Sequence, residues 1–144
     1  MTLQQYWGDV FTNEHQAIQA FKMFRMRNGI ICKKCSNTKH YWLPEKNQFQ
    51  CSACRFRTTL RSGTLLEGSK LPITYFFIAW SLIIKNNHVT LNEFQLETKH
   101  KYYEPLWEYL YKIKAHFKNE DSKKIANDFI EVTSSFLLNK PLDN

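Results

Sequence analysis

Two short segments, Cys32-Lys33-Lys34-Cys35 and Cys51-Ser52-Ala53-Cys54, decide the fold of the first half of this chain. They contain all four of its cysteines, and residues 36–50 separate them. Two residues between a pair of thiolates allow one tight turn to present both sulfurs to the same ion. A second such turn completes a tetrahedral site of four thiolates. The spacing therefore predicts one structural Zn²⁺ bound by Cys32, Cys35, Cys51 and Cys54.

Two other interpretations use the same cysteines. Two disulfides would require an oxidising compartment. Residues 1–8 have neither the basic segment nor the apolar segment of a signal peptide, so we expect a reducing environment. A redox-active pair would leave the second matched pair without a role. One zinc ion accounts for both pairs.

The stretch between the two pairs predicts the hairpin of a zinc ribbon. Residues 40–43 and 48–50 have the composition of short strands, and Pro44-Glu45-Lys46-Asn47 has that of a turn. Residues 55–60 alternate basic side chains with apolar or hydroxyl ones, which predicts a last strand. The rings of Tyr41, Trp42 and Phe49 are expected to pack over the metal site. Stacking of these rings on nucleic-acid bases is the alternative.

Positive charge is concentrated around this predicted ribbon. The whole chain has a formal net charge of +7. Residues 21–70 contain eleven Lys and Arg against two Glu, whereas residues 1–20 carry −2 and residues 71–144 carry 0. A cluster of cations beside a small rigid module is typical of nucleic-acid binding, although a solvated face is the alternative. The candidate phosphate-binding residues are Lys33, Lys34, Lys39, Arg55, Arg57, Arg61 and Lys70.

Helical patterns flank the ribbon. A helix is predicted from a cap at Thr12 or Asn13 to about residue 28, with Gly29 as its stop. A nearly all-apolar helix is predicted over 72–85, which makes it central, and a last helix over 122–138. Trp80 and Trp107 are core candidates.

Thr90 and Glu93 form a predicted capping box for a short helix, and a longer helix is predicted over 104–118. A central helix, a short helix, a tight turn and a longer helix are the layout of a helix-turn-helix. This motif would read DNA through its turn and the start of its second helix. The candidate residues there are Lys99, His100, Lys101, Tyr102, Tyr103 and Lys112.

Three segments resemble the N-terminal region of bacterial insertion-sequence transposases of the DDE type. They are residues 30–35, residues 49–56, and Ser62-Gly63-Thr64-Leu65-Leu66-Glu67-Gly68-Ser69-Lys70-Leu71-Pro72-Ile73, which is followed by Trp80. In that family a zinc ribbon leads through a Gly-Thr turn and a Lys-Leu-Pro segment into a Trp-bearing helix. The resemblance covers about residues 11–118, and it implies a helix-turn-helix that binds double-stranded DNA.

In that family a catalytic domain with Mg²⁺-binding acidic residues follows the helix-turn-helix. Here about 26 residues follow Lys118, and their acids lie on one predicted helix and its flanks: Glu120, Asp121, Asp128, Glu131 and Asp143. A two-metal site needs carboxylates that converge from several elements. We therefore expect this chain not to be an enzyme by itself.

The sequence as a whole predicts an α+β fold, in which a small zinc ribbon is followed by an all-α helix-turn-helix bundle. The predicted divisions are an N-terminal helix (1–29), the ribbon (30–70), the helix-turn-helix (71–118) and a C-terminal helix (119–144). The longest apolar run is too short to span a membrane. We expect a cytoplasmic protein, associated with the nucleoid if it is bacterial.

The expected function is that of a zinc-containing, transposase-derived targeting or regulatory module that binds double-stranded DNA. A separate catalytic or regulatory protein acting in trans is a further candidate partner. The alternative is a zinc-ribbon adaptor that docks on another protein. The oligomeric state stays open.

Overall fold

The structure is a computed structural model that describes residues 12–138, with side chains described up to residue 132. Asp143 and the outer ends of the two predicted terminal segments therefore lie outside the described residues. Within the described part there are five helices and three strands. In chain order they are α1 (Glu14–Asn28), β1 (His40–Leu43), β2 (Gln48–Cys51), β3 (Arg57–Thr59), α2 (Thr74–Asn86), α3 (Leu91–Thr98), α4 (Tyr103–Phe117) and α5 (Ser122–Leu138). The α+β fold class predicted from the sequence is confirmed.

Helix α1 begins and ends where its capping residues predict. The side chain of Asn13 accepts a hydrogen bond from the backbone N–H of Gln16, at 3.2 Å. Gly29 ends the helix with a φ of 84°, a value that residues with a Cβ rarely adopt. Both boundaries are therefore local properties of the sequence.

The three strands form an antiparallel sheet in the order β1-β2-β3. Trp42 lies opposite Phe49, which lies opposite Thr58, so these three share one face of the sheet. Successive side chains of a strand alternate between faces. The predicted last strand is shorter than expected, because Arg55 has a positive φ of 68° and leaves extended backbone only from Arg57.

Helix α2 is at the centre of the core, as its apolar composition predicts. The side chain of Trp80 is fully buried. Its ring centroid lies 5.7 Å from that of Phe24 in α1, 5.1 Å from that of Phe117 in α4 and 5.0 Å from that of Phe129 in α5. One aromatic cluster therefore joins four helices.

The start of α2 is capped by a distant residue. The carboxylate of Glu14 accepts hydrogen bonds from the backbone N–H groups of Ile73 (2.8 Å) and Thr74 (3.0 Å). Negative charge is favourable at a helix N-terminus, where backbone N–H groups lack partners. This contact fixes the first turn of α1 beside the first turn of α2.

Helices α3 and α4 are joined by residues 99–102. Thr90 caps α3 by accepting from the N–H of Glu93 at 3.2 Å, but the Glu93 carboxylate accepts from Asn86 rather than returning to Thr90. The predicted capping box is therefore half formed. In α4, the hydroxyl of Tyr109 donates to the carbonyl of Pro72 at 2.9 Å, which anchors this helix at the start of α2.

Helix α5 packs against α1. Arg27 forms ion pairs with Asp128, at 2.8 Å, and with Glu131. No helix among residues 12–138 combines the length and apolarity needed to cross a membrane.

Candidate metal centre and nucleic-acid surface

The four cysteine sulfurs converge on one point. All four Sγ atoms lie within 4.8 Å of one another, with Cys32 and Cys54 at 3.6 Å and Cys35 and Cys51 at 3.4 Å. A tetrahedral site with Zn–S bonds of about 2.3 Å requires sulfurs about 3.8 Å apart. The same distances are too long for disulfides, whose sulfurs are about 2.0 Å apart. The donor set therefore fits one Zn²⁺ in a closed, structural site.

Each Cys-x-x-Cys turn aims backbone N–H groups at its first sulfur. In the first turn, the N–H groups of Lys34 and Cys35 point at Cys32 Sγ, at 3.4 and 3.5 Å. The second turn repeats the pattern around Cys51 Sγ, with the N–H groups of Ala53 and Cys54 at 3.4 and 3.5 Å. Hydrogen bonds to the charged form of a group favour it. The backbone therefore stabilises the thiolates that a zinc ion needs.

The protonation of the Cys35–Cys51 pair follows from these contacts. The N–H of Cys54, with further help from the Asn37 side chain, lowers the pKa of Cys51 to about 5. A hydrogen bond from the Asn37 backbone lowers the pKa of Cys35, but the Cys51 sulfur, desolvation and the sulfurs of Cys54 and Cys32 together outweigh it and raise this pKa to about 12. Cys51 is therefore the more acidic thiol of the two.

Residues 12–57 match a family model described as the transposase zinc-ribbon domain. This segment includes all four cysteines. It is a zinc-binding, transposase-related module. The match covers about a third of the chain and begins in front of α1. No curated protein and no solved structure matches the chain.

Helix α1 is part of the ribbon unit, because Arg25 joins the two. Arg25 is 7% exposed, and its Nη1 donates to the carbonyls of Thr59 (3.0 Å) and Leu60 (3.1 Å) at the end of β3. Its guanidinium also lies 5.5 Å from the centre of the Phe49 ring. Arg25 contributes to the charge of residues 21–70, but it is buried and cannot contact a partner.

Four of the predicted DNA-binding residues are exposed cations around the metal site. They are Lys34, Lys39, Arg55 and Arg57. Among the side chains that the structure describes, up to residue 132, none of these four has a hydrogen bond or an ion pair. Lys70 is also exposed. These side chains are positioned to contact a polyanion without first breaking an internal contact.

Two of the other predicted cations, Lys33 and Arg61, have internal contacts. The ammonium of Lys33 donates to Ser62 Oγ at 3.1 Å and lies 3.9 Å from the Glu67 carboxylate. Arg61 is half-buried and donates to the Ser69 carbonyl at 2.9 Å. The Gly63 N–H and the charge of Lys33 lower the pKa of Glu67, and Lys112, which is exposed on α4, adds a smaller lowering effect. Part of the basic charge therefore stabilises the segment after the ribbon.

The turn between α3 and α4 presents most, but not all, of its predicted residues to solvent. Lys99, Lys101, Tyr102 and Tyr103 are exposed. His100 is half-buried, and its Nδ1 lies 3.1 Å from the hydroxyl of Tyr75 in α2. His100 therefore joins the turn to α2 rather than extending into solvent.

The exposed face of α4 carries a stripe of aromatic rings formed by Tyr103, Trp107 and Tyr111. Trp107 is 49% exposed and stacks on Tyr111 with ring centroids 5.6 Å apart. The expectation that Trp107 belongs to the core was wrong. Glu104 and Glu108 are exposed on the same helix, so this face is both aromatic and acidic.

The ribbon rings divide between the two faces of the sheet. Trp42 and Phe49 pack together on the inner face, with centroids 4.8 Å apart, and the ammonium of Lys22 lies 5.3 Å from the Trp42 ring. Both rings are packed, against each other and against α1, and their expected packing over the metal site stays a prediction. The packing expected for Tyr41 is wrong, because its side chain is 64% exposed on the outer face.

Proposed function

We propose that this protein binds double-stranded DNA through the basic surface of its zinc ribbon, as a targeting or regulatory module related to transposition. The observation that carries the proposal is the group of unpaired, exposed cations around the metal site: Lys34, Lys39, Arg55 and Arg57. Among residues 30–66, Glu45 is the only acidic residue. A surface of this kind attracts phosphates, which supply most of the sequence-independent affinity of DNA-binding proteins.

The zinc site supports this role by making the surface rigid. Arg55 follows the second cysteine pair directly, and Lys34 lies inside the first pair. Their backbones are fixed by the turns that hold the four sulfurs. Cations on a preorganised frame lose less conformational freedom on binding than cations on a flexible loop.

Helices α3 and α4 form the second DNA contact in this proposal, as a helix-turn-helix. The exposed side chains of Lys99, Lys101, Tyr102 and Tyr103 support it. Glu104 and Glu108 on the same helix repel phosphates and weaken it. We therefore expect modest sequence discrimination, near the low end of the roughly 1–3 kcal/mol that a mismatched base pair usually costs.

The first test replaces Arg55 and Arg57 by glutamine together. Each lost phosphate contact removes about one unit from the slope of log affinity against log salt. We expect weaker binding to every duplex and a slope flatter by about two units, measured by fluorescence anisotropy between about 50 and 200 mM salt.

The matched control removes two exposed cations from the helical part of the chain, through Lys85→Gln with Lys123→Gln. This variant has the same net charge as the test variant and should keep the wild-type slope. Equal losses of duplex affinity in the two variants would show that only the net charge of the protein determines binding. A loss confined to one duplex sequence would show that Arg55 and Arg57 read bases instead.

We also propose that the chain does not cut DNA by itself. Three carboxylates on α5 or just before it are used in ion pairs, since Asp128 and Glu131 bind Arg27, and Glu120 lies 3.3 Å from Lys124. Within residues 12–138, the four cysteines are the only group of His, Cys, Asp or Glu that could hold a metal. Supercoiled plasmid incubated with the protein and Mg²⁺ or Mn²⁺ should stay intact. Nicking that persists through purification and disappears in Asp128→Asn would contradict this.

A protein-interaction adaptor is the second candidate, and the aromatic stripe of α4 favours it. Tyr103, Trp107 and Tyr111 offer the ring types that are enriched in protein interfaces. The salt series separates the two candidates. No duplex binding, or binding that does not respond to salt, would favour the adaptor.

A further inference from the structure

The outer face of the ribbon sheet carries a row of three side chains, one from each strand. Tyr41 pairs with Gln50 across β1 and β2, and Gln50 pairs with Arg57 across β2 and β3. Residues paired in this way share a face, and neighbouring strands lie about 4.8 Å apart. The row is therefore about 10 Å long, with an aromatic ring, an amide and a guanidinium in sequence.

This row has no internal role. Tyr41 and Arg57 are exposed, Gln50 is half-exposed, and among the described residues none of the three side chains has a hydrogen bond, an ion pair or a ring contact. The next row of the same face consists of Leu43, Gln48 and Thr59. Neither row contains an acidic residue, so the face suits a negatively charged ligand.

We propose that this outer face binds an unpaired segment of a nucleic-acid strand, with one base stacked on Tyr41. The Gln50 amide can donate to and accept from a base edge, and Arg57 can bind the adjacent phosphate. The inference deepens the proposed function, on which it rests, by naming the form of nucleic acid that this part of the ribbon takes.

The ring of Tyr41 is the reason for choosing a single strand rather than a duplex. In a duplex the faces of the bases are already stacked on each other, so an exposed ring can reach only their edges. In a single strand every base has a free face, and aromatic platforms flanked by cations are the usual way to bind it. Phosphate contacts alone would not require an aromatic ring at this position.

The experiment measures the affinity of the full-length, zinc-loaded protein for a labelled mixed-sequence 12-mer and for the duplex of the same sequence. The variants are Tyr41→Ala, Tyr41→Phe and Tyr111→Ala. Tyr111 is a matched control, because it is also a tyrosine and is 62% exposed, against 64% for Tyr41, but it lies on α4. Zinc content is measured for each variant, since Tyr41 contributes nothing to the inner packing and the variants should fold.

We expect Tyr41→Ala to weaken single-strand binding by about 5- to 150-fold, the range that corresponds to the loss of one stacked base. Tyr41→Phe keeps the ring and should bind like the wild type. Tyr111→Ala should change single-strand affinity less than about twofold. A 2-aminopurine in the strand should be quenched by the wild type and by Tyr41→Phe, but not by Tyr41→Ala.

The outcomes separate this inference from the proposed function. Failure of the wild type to bind the single strand, or equal losses in Tyr41→Ala and Tyr111→Ala, would overturn the inference. It would also be overturned if Tyr41→Ala weakened single-strand and duplex binding by the same factor. In each case salt-dependent duplex binding would leave the proposed function standing. Single-strand binding that depends on Tyr41, without duplex binding, would support this inference and contradict the proposed binding of double-stranded DNA.

Discussion

Removal of zinc, or replacement of Cys51 by serine, should unfold the ribbon. Structural zinc sites have an apparent binding free energy of roughly 10–16 kcal/mol, which is comparable to or larger than the roughly 5–15 kcal/mol that stabilises a typical domain. Cys51 is the sensitive position, because its sulfur also accepts hydrogen bonds from two backbone N–H groups and from the Asn37 side chain. Metal analysis and amide NMR with and without a strong chelator measure the effect.

The control for this experiment is Ala53→Ser, which places a hydroxyl beside the site without removing a ligand. It should keep both the zinc and the ribbon signals. The helical circular dichroism should largely persist when zinc is removed, because the aromatic cluster around Trp80 does not involve the sheet. Protein that contains no zinc, or ribbon signals that survive chelation, would contradict the prediction.

Trp80→Ala should have the second largest effect, on the helical part of the chain. Truncation of a buried Trp typically lowers the free energy of unfolding by about 3–5 kcal/mol, because the cavity left behind is only partly refilled. Trp80 touches rings from α1, α4 and α5, and its indole N–H donates to the Ile125 carbonyl at 3.2 Å. Urea unfolding of the zinc-loaded protein, followed by far-UV circular dichroism, gives the change.

Trp107→Ala makes the same chemical change at an exposed position. This substitution should change the free energy of unfolding by no more than about 0.5 kcal/mol, the usual range for surface substitutions. Trp80→Phe keeps most of the ring packing and should cost less than Trp80→Ala. If the alanine variants at 80 and 107 unfolded at the same urea concentration, the central place of Trp80 in the core would be refuted.

Local signals made most of the zinc site and the helix boundaries predictable from sequence. Two residues between cysteines determine a turn, and Asn13, Gly29 and Thr90 act on backbone groups within a few positions of themselves. Such contacts depend little on the rest of the fold. The prediction of α5 over residues 122–138 agrees with the structure for the same reason.

Contacts between residues far apart in sequence could not be predicted in this way. Glu14 caps α2 across 59 residues, and Arg25 binds carbonyls 34 and 35 residues away. In α4, a spacing argument favoured Trp107 for the core, whereas the structure buries Tyr109. These two aromatic residues, two positions apart, are nearly equivalent by hydropathy, and the hydrogen bond from Tyr109 to Pro72 is visible only once both helices are placed.

The outer row of the sheet was missed for a related reason. Tyr41 and Gln50 come together only when the register of the hairpin is known, and a shift of one residue would exchange the two faces. Residue type alone does not show which of Tyr41 and Trp42 is on the inner face, because both are aromatic residues of β1. The pairing of β1 with β2 decides that only Trp42 joins Phe49.

Two arginines of α1, two positions apart, connect this helix to different parts of the molecule. Arg25 ties this helix to the end of β3, and Arg27 ties it to α5. The ribbon sheet is therefore joined through α1 to α5, and the aromatic cluster around Trp80 joins α1 in turn to α4. If the proposed function is correct, the ribbon and the helix-turn-helix would bind two stretches of DNA at one set separation.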